Sequence, residues 1–325
     1  MVGLRDPAQP TSLPRRGKTV KIRVLGSAAG GGFPQWNCNC RNCGGVRNGT
    51  LRALPRTQSS IAVCGRDAAR WALVNASPDI LAQLRANPDL QPARAPRDTA
   101  LAGIVLVDAQ IDHTTGLFML RESTQPLPVW CTDEACADLT RGNPVFGVLA
   151  HYCRVDRRRM DADGREFAVD GVAGVSWRAL AVASKPAPYS PHRQRPVAGD
   201  NVALVIADAG SGRTLVYAPG LGCMEEPLWR AMQGAVCVLV DGTFWSDDEM
   251  RSLGLSGKRA RDIGHLPQSG PGGMLEWLDK LPRDVRRVLI HVNNTNPILD
   301  EDSAQRAELA RRGIEVARDG MEIEC

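Results

Sequence analysis

The sequence predicts an α/β protein, an αβ/βα sandwich in which two mixed β-sheets pack face to face with helices outside. Three observations point there. Apolar runs of strand length alternate with helical segments, though not strictly, in both halves of the chain. The second half repeats the style of the first without repeating its sequence. Acids and histidines recur where apolar runs end, as they would if loops converged on one edge of a sheet. With 325 residues, 43% of them hydrophobic and 23% charged, the chain can fill one large core.

In chain order, residues 1–18 hold three prolines and Arg15-Arg16 without periodicity, and are expected to form a flexible N-terminal extension. Residues 19–325 then form a single domain. Val20–Leu25 alternates as a strand should, and the following Gly26-Ser27-Ala28-Ala29-Gly30-Gly31-Gly32 is a loop whose backbone can approach another group closely. Further strands are expected at Ser59–Val63, Trp71–Asn75, Gly103–Val107 and Pro128–Trp130, with helices after Pro78 and around Thr132–Leu139. The second half gives strands at Val202–Ile206, Thr214–Tyr217, Val236–Val240 and Val288–His291, and helices at Gly273–Leu278 and Ser303–Arg312. Arg157-Arg158-Arg159 and the basic, proline-rich Lys185–Arg193 read as loops.

Forty basic against 36 acidic residues give a net charge of +4, too balanced for nucleic acid or an anionic membrane as the main partner. No apolar run reaches the roughly 18 residues of a membrane span, and the N-terminus has no signal-peptide core. A cytoplasmic protein without membrane insertion is expected; the oligomeric state is not legible, and a homodimer stays open.

Chemistry is concentrated in two places. Gly103–Gly116 sets Asp112-His113 straight after an apolar strand, where a metal could be held. Two of the other histidines lie at comparable places: His265 in Gly264-His265-Leu266-Pro267, and His291 at the end of the run starting at Val288. Ligation is expected for His113 and His291, and an acid/base role for His265. Asp241 closes another apolar run and is expected to orient a histidine; its alternative is a turn aspartate bonding the next amides. The second place is Cys38-Asn39-Cys40-Arg41-Asn42-Cys43, too tight for ordinary disulfides and well suited to a structural, tetrahedral zinc that takes one more donor from elsewhere.

Together with Gly26–Cys40, Arg56-Thr57-Gln58-Ser59-Ser60, Asn75-Ala76-Ser77-Pro78-Asp79 and His291–Pro297, these motifs resemble the metallo-β-lactamase superfamily. Within it, the resemblance is to the family serving synthesis of pyrroloquinoline quinone (PQQ), from residue 20 to the end. A cysteine loop of this kind also looks like that of a superfamily phosphodiesterase of phosphonate breakdown, where a histidine completes a structural zinc site. That histidine falls on Asn294 here, so the fourth donor is Asn294, a water or another residue.

The superfamily's dinuclear hydrolytic centre implies histidines where this chain has Asp108 and Gln110, another near Ala183-Ser184, and a bridging acid near Ala218-Pro219-Gly220. What persists is Asp112, His113 and His291. Two histidines and a carboxylate form the facial triad of non-haem iron oxygenases. The resemblance thus implies an Fe(II)-dependent hydroxylase that uses molecular oxygen on the tyrosine of a peptide-derived PQQ precursor. His265, Asp241, Asp108 and Gln110 would serve the reaction, and Arg193, Lys185 and Arg56, chosen for charge and position, would anchor a substrate carboxylate. Two rivals accompany this reading: a carrier assisting passage of PQQ or its precursor to the periplasm, and a metal-dependent phosphodiesterase-like hydrolase.

Overall fold

The computed structural model describes residues 19–66 and 70–325; the extension expected over residues 1–18 lies outside the described residues. Strands β1 (Lys21–Gly26), β2 (Ser60–Cys64), β3 (Trp71–Val74), β4 (Leu101–Val105), β5 (Leu127–Cys131) and β6 (Val155–Arg159) build the first sheet. The second takes β7 (Asp163–Phe167), β8 (Val175–Ala181), β9 (Val202–Asp208), β10 (Thr214–Ala218), β11 (Cys237–Asp241), β12 (Arg286–Ile290) and β13 (Ile314–Val316). The chain then returns with β14 (Glu322–Glu324) to pair with β1, giving seven strands per sheet among the described residues.

The halves that share no sequence repeat share a topology. From β14 to β3 the first sheet is antiparallel and from β3 to β6 parallel; the second is antiparallel from β7 to β10 and parallel from β10 to β13. Both faces of each sheet are covered, so central strands are buried along their whole length instead of on alternate residues. In β2, Ile61 and Val63 face the other sheet, where they meet Trp177, Leu204, Tyr217 and Ile290. Ala62 and Cys64 face outward with Ile80, Leu117 and Leu139. Behind the second sheet, Val216, Val238 and Leu289 pack on Leu228, Met232, Leu275 and Leu309. This is the expected αβ/βα sandwich with three apolar layers.

One expectation is overturned: Arg157–Arg159 are not a loop but the end of β6. β6 closes the first sheet; Arg158 and Arg159 face solvent, Arg157 is half-buried, and the three pair with Asp156, Asp161 and Asp133. Charged side chains on an edge strand block further pairing, and they also erase the apolar alternation that marks a strand. No helix among the described residues is long and apolar enough to cross a membrane.

Candidate metal centre

The parallel strands end on one rim of the sandwich, and the reactive side chains gather there. After β4 the chain turns at Asp108 and enters the short helix Ile111–Thr114, which carries Asp112 and His113. From the other sheet, β12 delivers His291. His291 Nε2 lies 3.3 Å from Asp112 Oδ2, and His113 Nε2 lies 3.8 Å from the same oxygen. Donors around a metal held at about 2.1 Å sit roughly 3–3.5 Å apart, a spacing that the His291 pair meets and the His113 pair exceeds by a few tenths of an ångström, so a small shift of His113 brings all three into one coordination sphere. His113 Nε2 is buried with no hydrogen-bond partner. A buried nitrogen without a partner is costly, and a cation between these atoms would satisfy it. The donor set therefore fits a divalent metal.

Each ligand is held from behind. Asp108 grips His113 Nδ1 with both oxygens, at 2.8 and 2.9 Å, which leaves Nε2 for the metal. Burial opposes a charge on His113, but Asp108 and Asp112 outweigh it and raise its pKa to about 9. Asp112 is pulled down: burial works against ionisation, and His113 and His291 overcome it. Thr243 Oγ1 stands 2.9 Å from both Nδ1 and the carbonyl oxygen of His291. A metal on His291 Nε2 would leave Nδ1–H to donate to Thr243, and Thr243 Oγ1 donates to the His291 carbonyl. That bond helps hold His291 at a left-handed φ of 61°, a conformation that costs a non-glycine residue about 1–2 kcal/mol. Asp108→Ala is expected to keep the ligands but weaken active-site metal binding roughly 10- to 100-fold, as measured by metal titration.

His265 stacks on His291 with ring centroids 5.5 Å apart, and Asp241 Oδ2 accepts from His265 Nδ1 at 2.7 Å. Asp241 is fully buried; Leu221 N and Thr243 N also donate to it. Burial lowers the affinity of His265 for a proton, and Asp241 more than restores it. The pair therefore sets an imidazole beside the ligands, oriented through Nδ1 by a buried carboxylate.

On the same side lies the cysteine loop. Cys38, Cys40 and Cys43 bring their sulfurs within 4.8 Å of one another. Burial pushes Cys40 up to about 11, whereas amide and thiol donors outweigh burial at Cys38 and lower it. Ionising all three so close together requires a cation, as zinc supplies. Asn294 Nδ2 donates to the sulfurs of Cys38, Cys43 and Cys40 at 3.1, 3.4 and 3.9 Å, over the open corner of the trio.

A family described as the Beta-lactamase superfamily domain matches residues 70–292. Coenzyme PQQ synthesis protein B from Azoarcus sp. (strain BH72) is 65% identical over 302 residues, covering 93% of this chain and 99% of that protein. The chain belongs to the coenzyme PQQ synthesis protein B family. Its relative from Stutzerimonas stutzeri is 59% identical over 305 residues, covering 94% of this chain and 99% of that one. The crystal structure of Zn2+-bound PqqB from Methylobacterium extorquens is 35% identical, with a TM-score of 0.84 over 94% of this chain and 100% of that chain. A diphosphatase of the PhnP family, 15% identical with a TM-score of 0.64 over 94% of this chain and 98% of that one, shows the shared fold alone.

In this member of the PQQ synthesis protein B family, Asp108 and Gln110, at positions where the superfamily resemblance implies further ligands, are bonded elsewhere. Asp108 backs His113, Gln110 Nε2 donates to the Lys185 carbonyl at 3.0 Å, and Gly220 offers no side chain. A methyl at Gly220 would meet only His265 Cε1, at 3.6 Å, so room is left beside that ring. The proline-rich loop is pinned over the metal loop by the Gln110 bond and by Tyr189, whose hydroxyl donates to the Ala109 carbonyl. Lys185 thus stands at the rim, and its ammonium has no protein partner among the described residues. Arg193 donates to the Pro186 carbonyl within the same loop. Arg56 is not at the rim. Buried to 6% exposure, it bonds Ser27 Oγ and the Ala317 carbonyl, and burial lowers its pKa to about 10. Its guanidinium is committed to holding loops and cannot meet a substrate carboxylate.

Sequence reasoning did not single out Thr243, Asn42 or Glu249. Thr243 had a signal, being two residues past Asp241 at the end of a buried strand. Glu249 had none: it is 7% exposed, accepting from Thr295 Oγ1 at 2.5 Å and Trp245 N at 2.7 Å, and burial raises its pKa to about 7. The folded protein holds this proton where the unfolded chain, titrating near 4.5, has lost it. Its contribution to stability is therefore full below 4.5 and is lost as pH rises through about 7. Glu249→Gln is expected to remove on the order of 3 kcal/mol of the stability lost between about pH 5 and pH 8, read by urea denaturation at both.

Proposed function

We propose that this protein acts in PQQ biosynthesis as a non-haem iron(II)-dependent hydroxylase of the tyrosine ring in a peptide-derived precursor. Asp112, His113 and His291 would hold the iron, and Cys38, Cys40 and Cys43 a structural zinc with Asn294 as its neighbour. The observation that carries this reading is the convergence of two imidazole nitrogens and one carboxylate oxygen, one nitrogen buried and unpartnered, while Asp108 and Gln110 are bonded elsewhere. Such a ligand set leaves positions open for dioxygen and substrate. Iron(II) bound there supplies the redox chemistry with dioxygen that zinc lacks. A dinuclear hydrolytic centre, by contrast, needs a full second set of donors; beside this site Asp241 and His265 do come within 4.8 Å of each other and of His291, but they are hydrogen-bonded to each other at 2.7 Å.

The chain's own groups then divide the work. Asp108 and Thr243 fix the two imidazoles by their Nδ1 atoms. His265, held by Asp241, exchanges a proton with the phenol through Nε2, since Nδ1 is occupied. Gly220, without a side chain, keeps the approach to the His265 ring open, and Lys185 pairs with an amino-acid carboxylate at the rim. Hydroxylation inserts one oxygen atom and reduces the other to water, using two electrons from an added reductant.

The test is anaerobic loading with iron(II), then exposure to oxygen with a tyrosine-containing precursor peptide and reductant, read by mass spectrometry. A gain of one oxygen atom, absent in His291→Ala, is expected. No product from several tyrosine substrates, together with tight binding of PQQ itself, would make the protein a carrier.

A further inference from the structure

The cysteine loop and the candidate iron site meet on one short segment. His291 and Asn294 are three residues apart, and the stretch between them is bonded at every step. Asn42, on the helix Arg41–Arg47 between two of the cysteines, is 3% exposed. Its Nδ2 donates to the carbonyls of Asn294 at 3.1 Å and Asn296 at 2.9 Å. Asn296 is fully buried; its Nδ2 donates to the carbonyls of Gly242 at 3.0 Å and Thr243 at 3.2 Å, while its Oδ1 accepts from Ile298 N at 3.1 Å. Asn293 N donates to the same Thr243 carbonyl at 3.1 Å. Thr243 in turn grips His291 through its hydroxyl. Both amides face carbonyls, which only accept, so their orientation is fixed by chemistry.

We infer that Asn42 and Asn296 are positioning residues that couple the cysteine loop to the affinity of Asp112, His113 and His291 for metal. This rests on the site reading above. An ordered cysteine loop fixes Asn42, Asn42 fixes the 294–296 backbone, and Asn296 fixes Thr243 and with it the direction of His291 Nε2. His291 sits in a backbone conformation it would not adopt unaided, so slack in this chain of bonds is felt at the ligand. The coupling is reciprocal: metal at the histidines tightens zinc held by the cysteines.

The test titrates the zinc-loaded full chain with Mn(II), which prefers oxygen and nitrogen donors over thiolates, and records the visible spectrum of Co(II) in the same site. Asn42→Asp and Asn296→Asp keep the side-chain shape but replace the donor by an acceptor facing two carbonyls. Each is expected to bind Mn(II) about tenfold more weakly and to alter the Co(II) spectrum while retaining one zinc per chain. Asn42→Ser and Asn296→Ser, which shorten the donor without adding charge, decide the matter if the aspartate variants do not fold. Folded, zinc-retaining variants with wild-type Mn(II) affinity and Co(II) spectrum overturn the coupling, even if they melt earlier. Failure of the wild-type chain to bind Mn(II) at all would overturn the site reading itself.

Discussion

His113→Ala is expected to cut active-site metal affinity by roughly a hundredfold or more and to abolish oxygenated product, leaving the zinc content unchanged. Three donors converge on the site, and this substitution removes the one whose nitrogen is otherwise buried without a partner. The wild-type protein should also show a proton signature that the variant lacks. Asp108 and Asp112 raise the His113 pKa to about 9 against the opposing effect of burial, so the metal-free protein carries a proton there at neutral pH. That proton stabilises the metal-free fold fully below the unfolded value of 6.5, and the contribution is lost as pH rises through about 9. Metal must expel the proton, so affinity should rise about tenfold per pH unit up to about 9. Metal titrations across that range check both slope and magnitude. A pH-independent affinity would place the metal elsewhere.

Cys43→Ser should produce the largest loss of stability. Cys43 is fully buried, its sulfur accepts from Gln35 N at 3.3 Å, and the Asn294 amide lies 3.4 Å away. Structural zinc sites contribute folding free energy directly, and losing one thiolate should release the metal. The expected cost is about 4 kcal/mol or more, a fall in Tm on the order of 10 °C, measured by calorimetry beside zinc analysis. A Cys43→Ser protein that keeps one zinc per chain and its Tm would show that the cysteines are ordinary packed thiols.

Much of this was legible before the fold. Central strands such as β4, β9 and β11 are continuous apolar runs because helices cover both sheets, and such runs are visible in sequence. The edge strands β6 and β7 were not, because at an edge charge replaces apolar alternation. Asp112, His113, His291 and the three cysteines could be read because metal ligation demands particular side chains at strand ends and in close spacing. What holds them was harder to read: Thr243 had only its place two residues past Asp241, and Asn42 and Asn296 act through pairs of hydrogen bonds to segments distant in the chain, for which asparagine carries no distinctive local pattern. Charge alone misassigned Arg56, since an arginine lining a rim and one stitching buried loops look identical in sequence.

The central claim is that the two-histidine, one-carboxylate centre performs oxygenation. It is tested most directly by following the origin of the oxygen atom in the product. Iron(II)-loaded protein would be given precursor and reductant twice, once under heavy-isotope oxygen gas in ordinary water and once under ordinary oxygen in heavy-isotope water. Label entering the tyrosine ring from the gas and not from water is the expected result. Label entering the ring only from water would mean that dioxygen is not the source of the inserted oxygen and would contradict the account.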